Sequence, residues 1–139
     1  MSPNELGRAT EARFLLDALE RGLLVSTPFA DLPGYDAVVD RDGGLYRVQI
    51  KGSRLSLRDR RWTSSVSRGA GGCSNWDILG VYLTEHAEWR FFTRGQVPMG
   101  MMCLQIFQGS KWMKASRGWD IFDLPNKSHS TVPQTNHSI

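Results

Sequence analysis

The stretch Tyr35–Ser53, YDAVVDRDGGLYRVQIKGS, decides how the rest of the chain is read. Two runs of alternating apolar and polar residues, Tyr35 to Asp40 and Leu45 to Gly52, flank Asp42-Gly43, a dipeptide that favours a tight primed turn. The pattern predicts a β-hairpin. With Asp42 and Gly43 at the tip, Arg41 faces Gly44, and counting outward with a period of two places Asp36 opposite Gln49. Tyr35 against Ile50, Ala37 against Val48 and Val39 against Tyr46 then form an apolar face suited to packing. The opposite face gathers Asp36, Gln49 and Lys51.

Upstream, Ser2-Pro3-Asn4-Glu5 has the form of a capping box with proline at the first helical position, so a helix is expected to start there. Leu6, Ala9, Ala12, Leu16, Leu19 and Leu23 recur at three- and four-residue steps and draw one apolar stripe, with Gly22 as a C-terminal cap. Glu11 lies near the edge of that stripe, where a carboxylate is ordinarily just solvated. Leu23 to Phe29 reads as a first strand leading through the turn Asp31 to Gly34 into the hairpin, which makes the order helix, strand, strand, strand.

Downstream, Trp62 to Ser67 reads as a further short strand, and the glycine-rich Arg68 to Gly72 as a flexible loop without the lysine-serine pair of a phosphate loop. Trp76 to Thr84 is the most apolar run and predicts a buried strand, with Glu88 to Thr93 pairing to it through a polar turn. Gln96 to Lys114 fits strand or helix equally. Lys114 to Leu124 ends in WDIFDL, a packed terminal element, and the polar stretch from residue 125 to 139 is expected to be a disordered tail following one domain over 1–124. His129 and His137 fall in that tail, and His86 in a turn, so none is a catalytic candidate.

The chain has 139 residues and suffices for a single core. It contains no apolar run approaching the about 18 residues of a membrane span and no signal-peptide pattern at its start, which makes a cytoplasmic location without membrane association the expectation. Cys73 and Cys103 lack metal-ligand spacing and read as reduced structural thiols. A net charge of +3 permits nucleic-acid binding without establishing it. The distribution is more telling: Arg54, Arg58, Arg60, Arg61 and Arg68 crowd the segment after the hairpin, with Trp62 among them either to stack on a base or to anchor the segment. A solvated charged loop is the plain alternative.

A helix bearing Glu11, followed by a hairpin bearing Asp36 and the triplet Gln49-Ile50-Lys51, resembles the PD-(D/E)XK nuclease superfamily. The wording VQIKGS is similar to a QxK subgroup that includes an intron-encoded homing endonuclease, with glutamine where an acidic residue is usual. The resemblance extends, less specifically, over roughly residues 7 to 124. It implies a restriction-endonuclease-like α/β fold, a central mixed β-sheet flanked by helices in an αβββ-αβ order. It further implies a metal-dependent endonuclease acting on DNA as a homo-oligomer, dimer or tetramer. Asp36, the Gln49 side-chain carbonyl, the Ile50 backbone carbonyl and Glu11 would hold Mg²⁺, or Mn²⁺ in its place. Lys51 would stabilise developing charge or position the attacking water.

Elementary chemistry makes these residue types sensible, because phosphodiester hydrolysis needs an activated water and relief of negative charge, and Mg²⁺ asks a protein for only a few hard oxygens. An amide in place of a carboxylate removes one negative charge but keeps a ligand oxygen. Two rivals stand beside the enzyme: a non-catalytic nucleic-acid-binding or assembly protein on the same fold, and a domain with no nucleic-acid role whose arginines only solubilise it.

Overall fold

The computed structural model describes residues 1–30, 34–68, 75–98 and 100–123. Helix α1 (Pro3–Glu20) starts at the expected box: the Glu5 amide donates to the Ser2 hydroxyl oxygen, and the Glu5 carboxylate accepts from the Ser2 amide. Strand β1 (Leu24–Ser26) is shorter than the predicted Leu23–Phe29 and is followed by the hairpin strands β2 (Ala37–Arg41) and β3 (Gly44–Lys51). Their register is the one the turn predicts, with Arg41 facing Gly44, Val39 facing Tyr46 and Ala37 facing Val48. Asp42 (φ 51°) and Gly43 (φ 83°) supply the left-handed pair of the tip.

Strands β4 (Arg54–Ser56) and β5 (Arg61–Arg68) come next, then β6 (Ile78–Leu83), β7 (Glu88–Thr93), β8 (Gly100–Ile106) and the short helix α2 (Lys111–Ala115). A 3₁₀ segment, Trp119–Asp123, is the expected terminal element. The run left open between strand and helix is thus divided between β8 and α2. Five strands form one mixed sheet in the order β1-β2-β3-β6-β7, with β3 and β6 parallel, and β4-β5-β8 form a second, antiparallel sheet. In the αβββ-αβ order a helix would carry the chain from β3 to its parallel neighbour; here β4 and β5 lie in that crossover. Among the described residues no helix is long and apolar enough to cross a membrane.

The central sheet is buried on both faces. One face carries Ala37, Val39, Tyr46, Val48, Ile50, Trp89 and Phe91 against α1 and the 3₁₀ segment. The other carries Leu79, Val81, Leu83 and Phe92 against Trp62, Val66, Leu104 and Ile106 of the second sheet and Trp112 of α2. Such two-sided burial explains the unbroken apolar run of β6.

The helix sits differently from its leucine pattern. Thr10, Phe14 and Ala18 face the sheet, whereas Leu6, Leu16 and Leu19 are 53%, 54% and 58% exposed. Aromatic contact decides the rotation: the Phe14 ring meets Trp89, Phe91 and Trp119 at 5.4, 6.3 and 5.6 Å, and the Trp89 indole donates to the Asp17 carboxylate at 2.8 Å. Each such ring pair contributes about 0.5–1.5 kcal/mol beyond area burial, and small Thr10 and Ala18 on either side of Phe14 allow close approach. Tyr35 also departs from expectation. It packs in the second core rather than opposite Ile50, because the β2–β3 ladder stops at Ala37 and the chain bends at Asp36. Residues 125–139 and 69–74, including the expected tail, most of the glycine loop and Cys73, lie outside the described residues.

Candidate active site

Position 36 is one residue beyond the last ladder pair, level with Gln49, and three contacts hold it there. The Asp36 amide donates to the Val48 carbonyl at 2.8 Å, and Tyr35 is anchored in the second core. Gly34 (φ 115°) runs so close to Asn75 that an added Cβ would stand 2.7 Å from the Asn75 Cβ, so only glycine fits. The Asp36 carboxylate then turns back and accepts the Ile50 amide at 2.8 Å. Since the N–H and C=O of one strand residue point to the same side, the Ile50 carbonyl leaves the strand on this edge as well.

Gln49 and Lys51 alternate with buried Val48 and Ile50 and share the opposite face of β3, both half-buried. The Gln49 Oε1 atom is buried without a hydrogen-bond partner. Leaving such a group unsatisfied costs about 1–3 kcal/mol. The Arg61 Nε and Trp76 Nε1 atoms are likewise unpartnered, but both are N–H donors and cannot ligate a cation, whereas the amide carbonyl oxygen can. The Asp36 carboxylate, the Gln49 amide oxygen and the Ile50 carbonyl are hard oxygen donors of the kind a divalent ion such as Mg²⁺ takes. Among the described residues no group of three or more His, Cys, Asp or Glu gathers.

Glu11 occupies the half-buried edge of α1 beside Thr10, and Thr10 Oγ1 lies 3.5 Å from where a Cβ on Gly52 would stand. The helix thus crosses the chain immediately after Lys51, with Glu11 the residue that follows Thr10. The turn out of β3 is tied down from three sides. The buried Ser64 hydroxyl donates to the Gly52 carbonyl at 2.9 Å, the Ser53 hydroxyl to the Tyr82 carbonyl at 2.5 Å, and the Thr84 hydroxyl to the Ser53 carbonyl at 3.3 Å. Sequence patterning offers no signal for these three hydroxyls, because their partners are main-chain atoms distant along the chain.

The middle of β3, level with the start of β6, is braced by a residue that no local pattern singles out. Asp77 accepts the Arg47 amide at 2.8 Å and its guanidinium at 3.0 and 3.2 Å, which raises the Arg47 pKa chiefly through that side-chain hydrogen bond.

The arginine segment divides. Arg54, Arg58 and Arg60 are exposed, and Arg54 lines an open cleft of about 650 Å³ that begins at Gly52. Arg61 is partly covered, its guanidinium donating to Gln105 at 3.0 Å and lying 4.9 Å from the Phe107 ring centre. Arg68 ends β5. Trp62, left between base stacking and anchoring, anchors: it is buried in the second core and its indole donates to the Thr84 carbonyl at 2.7 Å. Cys103, expected as a structural thiol, is free and exposed on β8.

Comparisons with known proteins place this geometry. A family model described as PD-(D/E)XK endonuclease matches residues 1–88, which contain α1, the hairpin, the arginine segment and β6. Among solved structures, the chain is similar to a bacterial homing endonuclease, I-Ssp6803I, with a TM-score of 0.72 and 21% identity over 87% of this chain and 91% of that one. A search of curated proteins returned no match.

Proposed function

The chain belongs to the PD-(D/E)XK endonuclease family, and from that premise we propose that it is a Mg²⁺-dependent endonuclease hydrolysing phosphodiester bonds in DNA. One observation carries the proposal: the buried, unpartnered Gln49 Oε1 lies level with Asp36 across the end of the hairpin, where a structural hairpin would have no reason to retain an unsatisfied oxygen. Asp36, Gln49, the Ile50 carbonyl and Glu11 hold the ion, and Mn²⁺ can replace it. Bound there, the ion supplies Lewis-acid polarisation of a phosphate oxygen and a water of lowered pKa.

The remaining work falls to side chains. Lys51, on the face of Gln49, places an ammonium where negative charge grows on the scissile phosphate. The Ile50 amide restrains one carboxylate oxygen of Asp36, which fixes the orientation of the group toward the phosphate. Arg54, Arg58 and Arg60, with Arg61 and Arg68, bind the flanking phosphates and set the register of the duplex. Two such sites in a homo-oligomer, dimer or tetramer, would cut both strands.

The amide at position 49 favours a second reading, a DNA-binding protein that has lost metal chemistry. One experiment separates them. The purified protein is incubated with supercoiled plasmid and with branched DNA in Mg²⁺ or Mn²⁺, beside Asp36→Ala and Lys51→Ala. Nicking or linearisation abolished by both substitutions supports the nuclease. Intact DNA that is nonetheless retarded in a gel, together with no heat of Mg²⁺ binding that depends on Asp36, overturns it in favour of binding alone.

A further inference from the structure

The second sheet buries one face and leaves the other open. Strands β5 and β8 pair from Trp62 with Ile106 to Arg68 with Gly100. Along this ribbon Trp62, Ser64, Val66, Leu104 and Ile106 point inward. Thr63 and Ser65 alternate with them and face outward, as do the exposed Cys103 and Gln105 opposite. One polar row, Arg54, Thr63 and Gln105, crosses all three strands, and Ser65 faces Cys103 in the next pair. The face is thus hydroxyl and amide in its middle, with the Arg54 and Arg61 guanidinium groups at the end where β4 joins.

We propose that the β5–β8 ribbon lies in the major groove of duplex DNA and that Thr63, Ser65 and Gln105 read base edges there, so that they determine the sequence the enzyme prefers. The inference rests on the endonuclease reading and deepens it. Strands stand about 4.8 Å apart, and the B-form major groove, about 12 Å wide, admits a two-stranded ribbon. Arginines at that end suit the adjacent phosphates, whereas hydroxyl and carboxamide groups carry the donor and acceptor patterns that distinguish base pairs. The ribbon has the charge to match: residues 54 to 68 include Arg54, Arg58, Arg60, Arg61 and Arg68 against Asp59 alone. Gln105 is already oriented, because its carbonyl holds the Arg61 guanidinium.

Continuity with the candidate active site strengthens the assignment. The 650 Å³ cleft is lined by Gly52 and Ser53 at one end and by Thr63, Ser65 and Cys103 on the ribbon, with Leu6 of α1 as its opposite wall. Only Gly52 and Ser53 separate Lys51 from β4, and the hydrogen bonds from Ser64 and Thr84 lock that link. Bases held on the ribbon would therefore lie at a fixed distance from the bond that is cut. An A-form RNA duplex, whose major groove is deep and narrow, does not admit such a ribbon.

The test uses the full chain and a pool of 40-base-pair duplexes with a randomised centre, sequenced after selection for binding. Wild type is compared with Thr63→Val and Gln105→Ala, and with Arg58→Ala as a phosphate-contact control. The expected result is a wild-type preference that the first two variants flatten, by about five- to a hundredfold, over a block of a few adjacent base pairs. Their affinity for random-sequence DNA stays within about twofold, which also shows that they are folded. Arg58→Ala weakens binding to every sequence alike and lowers the salt slope by about one. Methylating guanine N7 inside the block blocks wild-type binding. Four results would overturn the inference: an unchanged preference in both variants, a uniform loss of affinity in them, competition by a minor-groove drug instead of N7 methylation, or equal competition by duplex RNA. A wild type that cleaves DNA without preference sinks this inference and leaves the nuclease standing. A wild type that neither binds nor cleaves DNA sinks both.

Discussion

The two halves of strand β3 use the same device to opposite effect. In its first half, Asp77 accepts the Arg47 amide and then neutralises itself on the Arg47 guanidinium, so donor, acceptor and charge are all matched. At its far end, Asp36 accepts the Ile50 amide, but among the described residues its carboxylate forms no ion pair, and Gln49 Oε1 nearby has no donor. The contrast teaches where to look for chemistry. A closed carboxylate holds a strand in place, while an open one beside an orphaned oxygen has capacity left for a ligand.

The strongest way to break this comparison is to delete each carboxylate in turn. Asp36→Ala should lower plasmid cleavage in Mg²⁺ by about a thousandfold or more, with Lys51→Ala close behind, because both act on charge in the reacting phosphate. Because the Ile50 amide loses its acceptor, the Asp36 variant should also lose about 1–3 kcal/mol in urea unfolding, so cleavage is compared per folded molecule. Comparable cleavage by wild type and Asp36→Ala would remove the open end from the mechanism.

Asp77→Ala should cost stability without the loss of cleavage. It strands the Arg47 amide and guanidinium at a half-buried position, which costs about 1–3 kcal/mol in urea unfolding while leaving cleavage per folded molecule within a few-fold of wild type. A cleavage defect as deep as that of Asp36→Ala would mean the two halves are not functionally distinct.

Position 49 sharpens the difference further. Gln49→Glu restores a negative charge to the ligand set and should tighten Mg²⁺ binding by about tenfold in calorimetry, about 1.4 kcal/mol. Gln49→Leu should abolish that heat without loss of stability, since the oxygen it removes has no partner to lose. A strongly destabilised Gln49→Leu would show that the oxygen is satisfied after all.

The smallest expected effect lies in the closed half. Burial, and then Asp123 and Asp77, raise the Tyr46 pKa above its ordinary 10.0. The unfolded chain therefore loses this proton first, so the stability Tyr46 contributes is full below pH 10.0 and declines as pH rises through the higher folded value. Tyr46→Phe should flatten that alkaline decline in a series of thermal melts. An unchanged slope would place the titration elsewhere.

Much of the open end was legible beforehand. The Asp42-Gly43 turn and strict alternation in β3 dictate the register as far as Ala37 and put Gln49 and Lys51 on one face, while contacts from outside the hairpin hold Asp36 level with Gln49. The capping box likewise places the start of α1. The face that α1 buries was not legible, since leucines at three- and four-residue steps predict a stripe but not that one phenylalanine, ringed by aromatics from β7 and the terminal segment, outweighs them. Trp62 was equally ambiguous, because stacking outward and anchoring inward look alike in a string of arginines.

The sequence by itself determined the hairpin, its register, the start of the helix and the chemical types at the site, all set by turn geometry and by periodicities that act over a few residues. Only the tertiary structure decided that Gln49 Oε1 is buried and unpartnered, that Asp77 braces the middle of the strand, and that the arginine segment becomes a ribbon with an open polar face. Those outcomes depend on which distant segments pack together. Hydrogen-bond satisfaction and burial are properties of the neighbours brought near, and no local pattern in the chain encodes them.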